Sequence, residues 1–203
     1  MSINILSELE QLEKEQKSFK SAFLLTYSLN LHFFEQLVQP KLDALGCTQV
    51  LILSDVFGYE ESLQRNLHNL KSVGRRYVCA PILTEGFGVQ HGKFLLLLSE
   101  TRGWLLVGSG NLTLSGYGQN LELFDVFEFD SQENVSTRHI FQSIWQVIDS
   151  LKTQLPKIGQ DFIRQISQQV QWLRQVSSTR AAVDLWNSID EPIINSIRNI
   201  SQK

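Results

Sequence analysis

Ala22-Phe-Leu-Leu-Thr-Tyr-Ser-Leu29 is a strand-like, largely apolar run that ends at Asn30, a residue suited to cap a following helix. Phe33, Phe34, Leu37, Val38, Leu42 and Leu45 give that helix its apolar face, and Gly46 stands where a C-terminal glycine belongs. Pro40 is expected to kink it or split it in two. Gln49-Val-Leu-Ile-Leu-Ser54 reads as a second strand, Glu60 to Lys71 as a helix, and Arg76-Tyr-Val-Cys-Ala-Pro-Ile82 as a third strand. The order is β-α-β-α-β. Strands that are continuously apolar rather than alternating are buried on both faces. The expected fold class is therefore α/β, a mixed, largely parallel central sheet sandwiched by helices.

On the N-terminal side, Leu6, Leu9 and Leu12 among acidic and basic neighbours predict an amphipathic helix within residues 1–20. The rhythm changes after Leu83. Lys93 to Ser99 and Trp104 to Val107 are apolar runs separated by Glu100-Thr-Arg-Gly103, which predicts a hairpin with Gly103 at the special backbone angle. A Gly/Ser/Asn-rich loop, Gly108 to Asn120, precedes a strand from Glu122 to Phe129 and is too long to be mere connection. Helical spacing then runs through Val135, Phe141, Ile144, Trp145, Ile148 and Leu151, and after Pro156 through Ile158, Phe162, Ile166, Val170 and Leu173. This divides the chain into an N-terminal helix (1–20), a central α/β domain (21–155) and a C-terminal helical extension (156–203). Ser177-Ser-Thr is the candidate linker, and the helix expected from Pro192 leads to a second element or to dimer contacts.

The 203 residues carry 18 Lys+Arg against 21 Asp+Glu, a formal charge of −3, with 42% hydrophobic residues, 12 Gly and 4 Pro. Collagenous, disordered and disulfide-stapled classes are excluded. Phosphate affinity needs concentrated cations, so any nucleic-acid contact must come from a local site. Cys47 and Cys79, without C-x-x-C spacing, read as structural thiols. The longest wholly apolar run, Phe94 to Leu98, is far short of the roughly 20 residues that span a bilayer. With no secretory pattern at Met1 to Lys20, a cytoplasmic, reducing location is expected, with no membrane partner.

Chemistry concentrates in Gln90-His-Gly-Lys-Phe94 and Val107-Gly-Ser-Gly-Asn-Leu-Thr-Leu-Ser-Gly-Tyr-Gly-Gln-Asn-Leu-Glu122. Alternation at a strand start puts His91 and Lys93 on one face, and a hairpin returns Ser109 and Asn111 to the same edge. An imidazole, an ammonium, a hydroxyl and a carboxamide then surround one point, with glycines that let backbone N–H groups approach. Such a cluster suits a tetrahedral phosphate.

His91-x-Lys93 followed by Gly108-Ser109-x-Asn111 and a later Glu122 resembles the phospholipase D superfamily with its "HKD" motif, and most closely its nuclease branches. The motif resemblance covers Gln90 to Glu122, and the element order about Ala22 to Phe129. The superfamily's Asp five positions after the Lys is Leu98 here, and the gap to Gly108-Ser109 is longer than usual.

The resemblance implies a metal-independent phosphodiesterase, most simply a nuclease cleaving DNA or RNA, with no cofactor and no metal. In it His91 attacks phosphorus, Lys93 and Asn111 hold the non-bridging oxygens, and Glu122 orients His91 by accepting its ring N–H. Ser109, Gly110, Thr113 and Tyr117 are the expected substrate-binding residues, Tyr117 by stacking on a base. With one His-x-Lys in the chain, the second His must come from a homodimer partner or from a second half of a longer protein. A role in restriction or phage defence fits such a nuclease. A lipid phosphodiesterase or phosphatidyltransferase, and a catalytically inactive domain binding nucleic acid or protein, are the alternatives.

Other candidates have blander readings. His32, His68 and His139 lie on expected helices without partner motifs, and Lys71, Arg75 and Arg76 around Gly74 read as a solvated helix end. Trp172 and Trp186 are candidate dimer anchors. Gly86-x-Gly88 lacks the rest of a dinucleotide fingerprint.

Overall fold

The computed structural model of the protein describes residues 4–84, 88–133 and 135–174. The expected linker, the helix from Pro192, Trp186 and Gly86 lie outside the described residues.

Six strands form one sheet: β1 (Ser21–Thr26), β2 (Gln49–Asp55), β3 (Val78–Ile82), β4 (Phe94–Leu98), β5 (Arg102–Gly108) and β6 (Phe124–Asp130), in the order β3-β2-β1-β4-β5-β6. β1, β2 and β3 pair in parallel, while β4, β5 and β6 join by antiparallel pairings starting at β1. The sheet is mixed, as expected, and β1, β2, β3 and β5 share one direction. The parallel part is the region of β-α-β crossovers, and the antiparallel part begins where hairpin chemistry replaces them.

Helices cover both faces. Alternation along β1 sends Ala22 and Leu24 into one core cluster and Phe23 and Leu25 into the other. The first cluster is closed by α1 (Ile5–Lys14), whose buried stripe is Ile5, Leu9 and Leu12, and by the helical region Leu31 to Leu45. The second is closed by α5 (Arg138–Ser150) and α6 (Lys157–Gln169). Side chains buried on both faces explain why the strands lack alternation in sequence.

Local chemistry accounts for most boundaries. Asn4 caps α1 by accepting from Leu6 N at 3.0 Å, and Asn30 caps α2 (Leu31–Phe33) by accepting from Phe33 N at 2.9 Å. Pro40 lacks an N–H for the Gln36 carbonyl. The helix adjusts with a π turn at Phe34–Val38, in which Gln39 N bonds Phe34 O, before α3 (Gln39–Ala44) resumes. Gly46 ends it at φ +85°. The next helix, α4 (Val56–Asn66), starts earlier than the apolar spacing suggested, because Asp55 caps it through Phe57 N at 3.1 Å.

Two expectations are corrected. Gly103 lies inside β5 rather than at the turn, and a Cβ there would sit 2.6 Å from Phe141 and 2.9 Å from Trp172, so the glycine admits their rings. The turn is held instead by Ser99 Oγ, which accepts from Arg102 N at 2.9 Å. Val135 and Ile158 are exposed, since α5 begins only at Arg138 and Ile163 carries the buried face of α6.

Both cysteines are free thiols. Burial, with the charge of Asp43, pushes Cys47 up to about 12, and burial raises Cys79 as well, which leaves both inert. Among the described residues no helix is long and apolar enough to cross a membrane.

Candidate active site

β1, β2, β3 and β5 direct their carboxyl ends to one edge of the sheet, where β4 and β6 begin. The segment from β3 to β4 must pass from the sheet's outer edge over the ends of β2 and β1. Asp55, closing β2 with no exposure, catches it: its Oδ2 accepts from Gln90 N at 2.9 Å while its Oδ1 caps α4. That anchor delivers His91 over the end of β1, with its ring 5.1 Å from the Tyr27 ring at a 45° tilt.

His91 is exposed, and Lys93, two residues on, is buried at 7% exposure. The expected shared face is present. Lys93 Nζ lies 2.9 Å from His91 Nδ1 and 3.2 Å from Nε2, and donates to the His91 carbonyl at 2.6 Å. The ammonium also stands 6.0 Å from the Tyr27 ring centroid. Burial lowers the Lys93 pKa from the ordinary lysine value, against an opposing pull from the Glu122 carboxylate.

Asn111 reaches the same edge from the loop after β5. Its Oδ1 accepts from Ser28 N at 3.0 Å and from Thr26 Oγ1 at 3.4 Å, while Thr26 Oγ1 accepts from Leu112 N at 3.0 Å. This occupies the carbonyl side of the amide, and among the described residues the NH2 side has no partner. Two glycines make the fit possible. A Cβ at Gly116 would sit 2.3 Å from the Asn111 carbonyl oxygen, and one at Gly58 would sit 2.1 Å from that of Tyr27.

The other expected site residues divide. Glu122 accepts from Ser109 Oγ and, at 3.2 Å, from Asn120 Nδ2, so the expected bond to His91 is absent and the carboxylate instead organises the loop into β6. Ser109 is exposed, and its Oγ also accepts from Leu123 N at 3.1 Å. Thr113 Oγ1 accepts from Gly116 N at 3.1 Å. Gly110 is buried, where a Cβ would meet the Gly116 carbonyl at 2.5 Å and Phe124 at 2.6 Å. Tyr117 is also buried, 5% exposed and edge-to-face on Phe33 at 5.8 Å. It is a core residue, not a stacking platform, because the loop folds into a π turn at Ser115–Gln119 that turns the ring inward. Trp172 is likewise core: it stacks on Phe129 at 4.1 Å and donates Nε1–H to Ser99 O at 3.0 Å, leaving no ring face for a dimer anchor.

Asp55, Thr26, Tyr27 and Ser28 escaped the sequence reading. Asp55 had a legible signal, a carboxylate between an apolar strand and a helix. Tyr27 had none, because it sits in the tail of an apolar run.

No family model matches the sequence, and no curated protein matches it. Among solved structures the chain is similar to NucT from Helicobacter pylori, at 13% identity over 70% of this chain and 89% of that one, with a TM-score of 0.43. It is also similar to Nuc from Salmonella typhimurium, a phospholipase D family member, at 18% identity over 75% and 86%, with a TM-score of 0.44. Polyphosphate kinase from Porphyromonas gingivalis matches at 11% identity over 72% of this chain and 20% of that one, with a TM-score of 0.39.

Proposed function

We propose that the protein is a phosphodiesterase acting on polynucleotides without a metal, through a phosphohistidine at His91, with two chains sharing one site. The observation that carries this reading is the exposed His91 imidazole within 2.9 Å of the buried Lys93 ammonium, at the edge where Asn111 keeps its NH2 free.

In the first step a ring nitrogen of His91 forms a bond to phosphorus, and the bond to one ester oxygen breaks. A phosphoryl oxygen draws the Lys93 ammonium off the imidazole, and Lys93 and Asn111 hold the charge gathering on the non-bridging oxygens. The departing oxygen takes a proton from the second His91, across the two-fold axis. In the second step that His91 removes a proton from water, the water oxygen bonds to phosphorus, and the N–P bond breaks. Glu122 acts from a distance, sustaining the charge on Lys93 and bracing Ser109.

Two observations support the finer points. Of the ten exposed large apolar side chains among the described residues, Phe57, Leu83, Val89, Leu114, Leu121 and Leu123 stand at the His91 end of the sheet. Such a rim suits contact with a second chain. Leu98, which takes the place of the superfamily's Asp, lies at the far end of β4, about 17 Å along the strand from Lys93 at roughly 3.4 Å per residue, so its change removes nothing from the His91 edge.

The test is cleavage of DNA and RNA oligonucleotides with EDTA present, and again with His91→Ala. Chelator-resistant cleavage lost in the variant is expected, with trapped radiolabel on His91 in samples denatured with SDS at alkaline pH, where the N–P bond survives. Cleavage that persists in His91→Ala would sink the mechanism. Turnover of phosphatidylcholine vesicles alone would move the reading to lipid, and no turnover of either would make the domain a binding module.

A further inference from the structure

Beside Asn111 a groove of about 330 Å³ runs between the end of β1, α4 and the loop after β5. Its volume is near the lower end of the range for small-ligand sites, about 300–1,000 Å³. That is the scale of one nucleoside.

The lining is unusual for a surface that meets a polyanion. Its one cation, Arg65, is held by Glu61 at 2.7 Å in an ion pair of its own helix. Apart from Glu61 and the apolar Leu29, the rest is hydroxyl and carboxamide. Such a surface offers phosphate little and offers the uncharged parts of a nucleotide a great deal.

The hydrogen bonds already made show which groups remain for a ligand. Asn30 spends its Oδ1 on the cap of α2, through Phe33 N at 2.9 Å, which leaves its NH2 as a donor. Asn66 donates Nδ2–H to Ser62 O at 2.9 Å, which leaves its Oδ1 as an acceptor. Thr113 and Ser115 hydroxyls bond each other at 3.0 Å, and Ser62 Oγ accepts from Leu31 N at 2.9 Å. Among the described residues the Asn30 NH2 and the Asn66 Oδ1 thus stay without a partner in the lining of a groove that starts at the residue assigned to the scissile phosphate. Carboxamide donors and acceptors are the groups by which side chains recognise a base edge.

We infer that this groove is a nucleoside subsite, holding the base and sugar next to the cleaved bond and selecting the base through Asn30 and Asn66. This rests on the phosphodiesterase reading for its substrate. Asn111 Oδ1 accepts from Ser28 N and both residues line the groove, so a nucleoside flanking a phosphate held at Asn111 has a path into it.

The experiment sequences the ends produced from randomised single-stranded DNA and RNA pools by the full chain, by Asn66→Ala and by Asn30→Ser, the last keeping a capping oxygen while losing the amide donor. Thermal melts establish that each variant is folded, and bis(p-nitrophenyl) phosphate serves as a substrate without a nucleoside. The expected result is a base preference on one side of the cleaved bond that falls about tenfold in Asn66→Ala and in Asn30→Ser. The ratio of oligonucleotide to bis(p-nitrophenyl) phosphate turnover should fall with it. A preference unchanged in both folded variants, or no preference in the parent chain, overturns the subsite. Cleavage independent of His91 overturns the phosphohistidine reading and leaves the subsite judged by the preference alone. Where neither pool is cut, fluorescence anisotropy of labelled oligonucleotides decides, and a Kd that Asn66→Ala does not weaken overturns the proposal.

Discussion

The two ends of β4 have opposite characters. At the Leu98 end the strands themselves are sealed below an exposed turn: Leu98 has no exposure, Gly103 opposite it admits the Phe141 and Trp172 rings, and Ser99 closes the turn. At the other end a lysine is buried at a cost to its charge, an imidazole stands exposed, and apolar side chains face outward. The two ends are built of the same backbone pairing, so the contrast lies in the side chains alone. The sealed end carries stability, and the open end departs from the rules of good packing where a phosphate would bind.

The sharpest way to break the contrast is to exchange the two kinds of loss. His91→Ala is expected to lower turnover by about 10⁴ or more. An exposed position should leave unfolding free energy within about 0.5 kcal/mol, which chemical denaturation reads. Leu98→Asp supplies the carboxylate that the superfamily motif carries, and is expected to do the reverse. It would place a charge in the apolar cluster beneath α5 and destabilise by about 4 kcal/mol or more. A gain in activity at unchanged stability would show that position 98 belongs to the site after all. Gly103→Ala is milder. Its new Cβ must displace two aromatic rings, a strain of about 1–3 kcal/mol, visible as a lowered melting temperature with oligonucleotide cleavage retained at the permissive temperature.

The sealed end was the more legible one. Runs such as Phe94 to Leu98 specify a strand buried on both faces by composition alone, and Gly46 marks a helix end through its backbone angle. At the open end, His91, Lys93 and Asn111 were legible because their types and spacing are informative. Their supports were not. Tyr27 lies under His91 only because β1 and β4 are neighbours, a pairing that spans 69 residues from Leu25 to Phe94. Tyr117 misled because loop composition suggests exposure, whereas the π turn that buries the ring depends on the Gly116 contact with Asn111. The Glu122 role failed for a similar reason: spacing placed the carboxylate at the right edge, but its hydrogen bonds go to its own loop.

Lys93 combines burial, the mark of the sealed end, with charge at the open one, and its replacement by Met tests the contrast with the smallest expected change in stability. Burial holds the folded-state pKa of Lys93 below the unfolded-state value. Between those two values the unfolded chain binds more protons than the folded one, so this group's contribution to stability rises with pH through that window. Below that window both states are protonated and the full burial penalty is present. Lys93→Met keeps most of the stem and removes the charge, so it is expected to raise the melting temperature at pH 7 while abolishing cleavage. Its advantage over the parent chain should shrink as pH climbs from the lowered Lys93 value toward that of an ordinary lysine. The parent's turnover should fall on its alkaline side over the same interval, as the ammonium that meets the phosphoryl oxygens is lost. A variant that melts lower than the parent at pH 7 would mean that the bonds from Nζ to the His91 ring and carbonyl outweigh desolvation. The open end would then be as well packed as the sealed one, and the contrast would fail where it is most exposed to measurement.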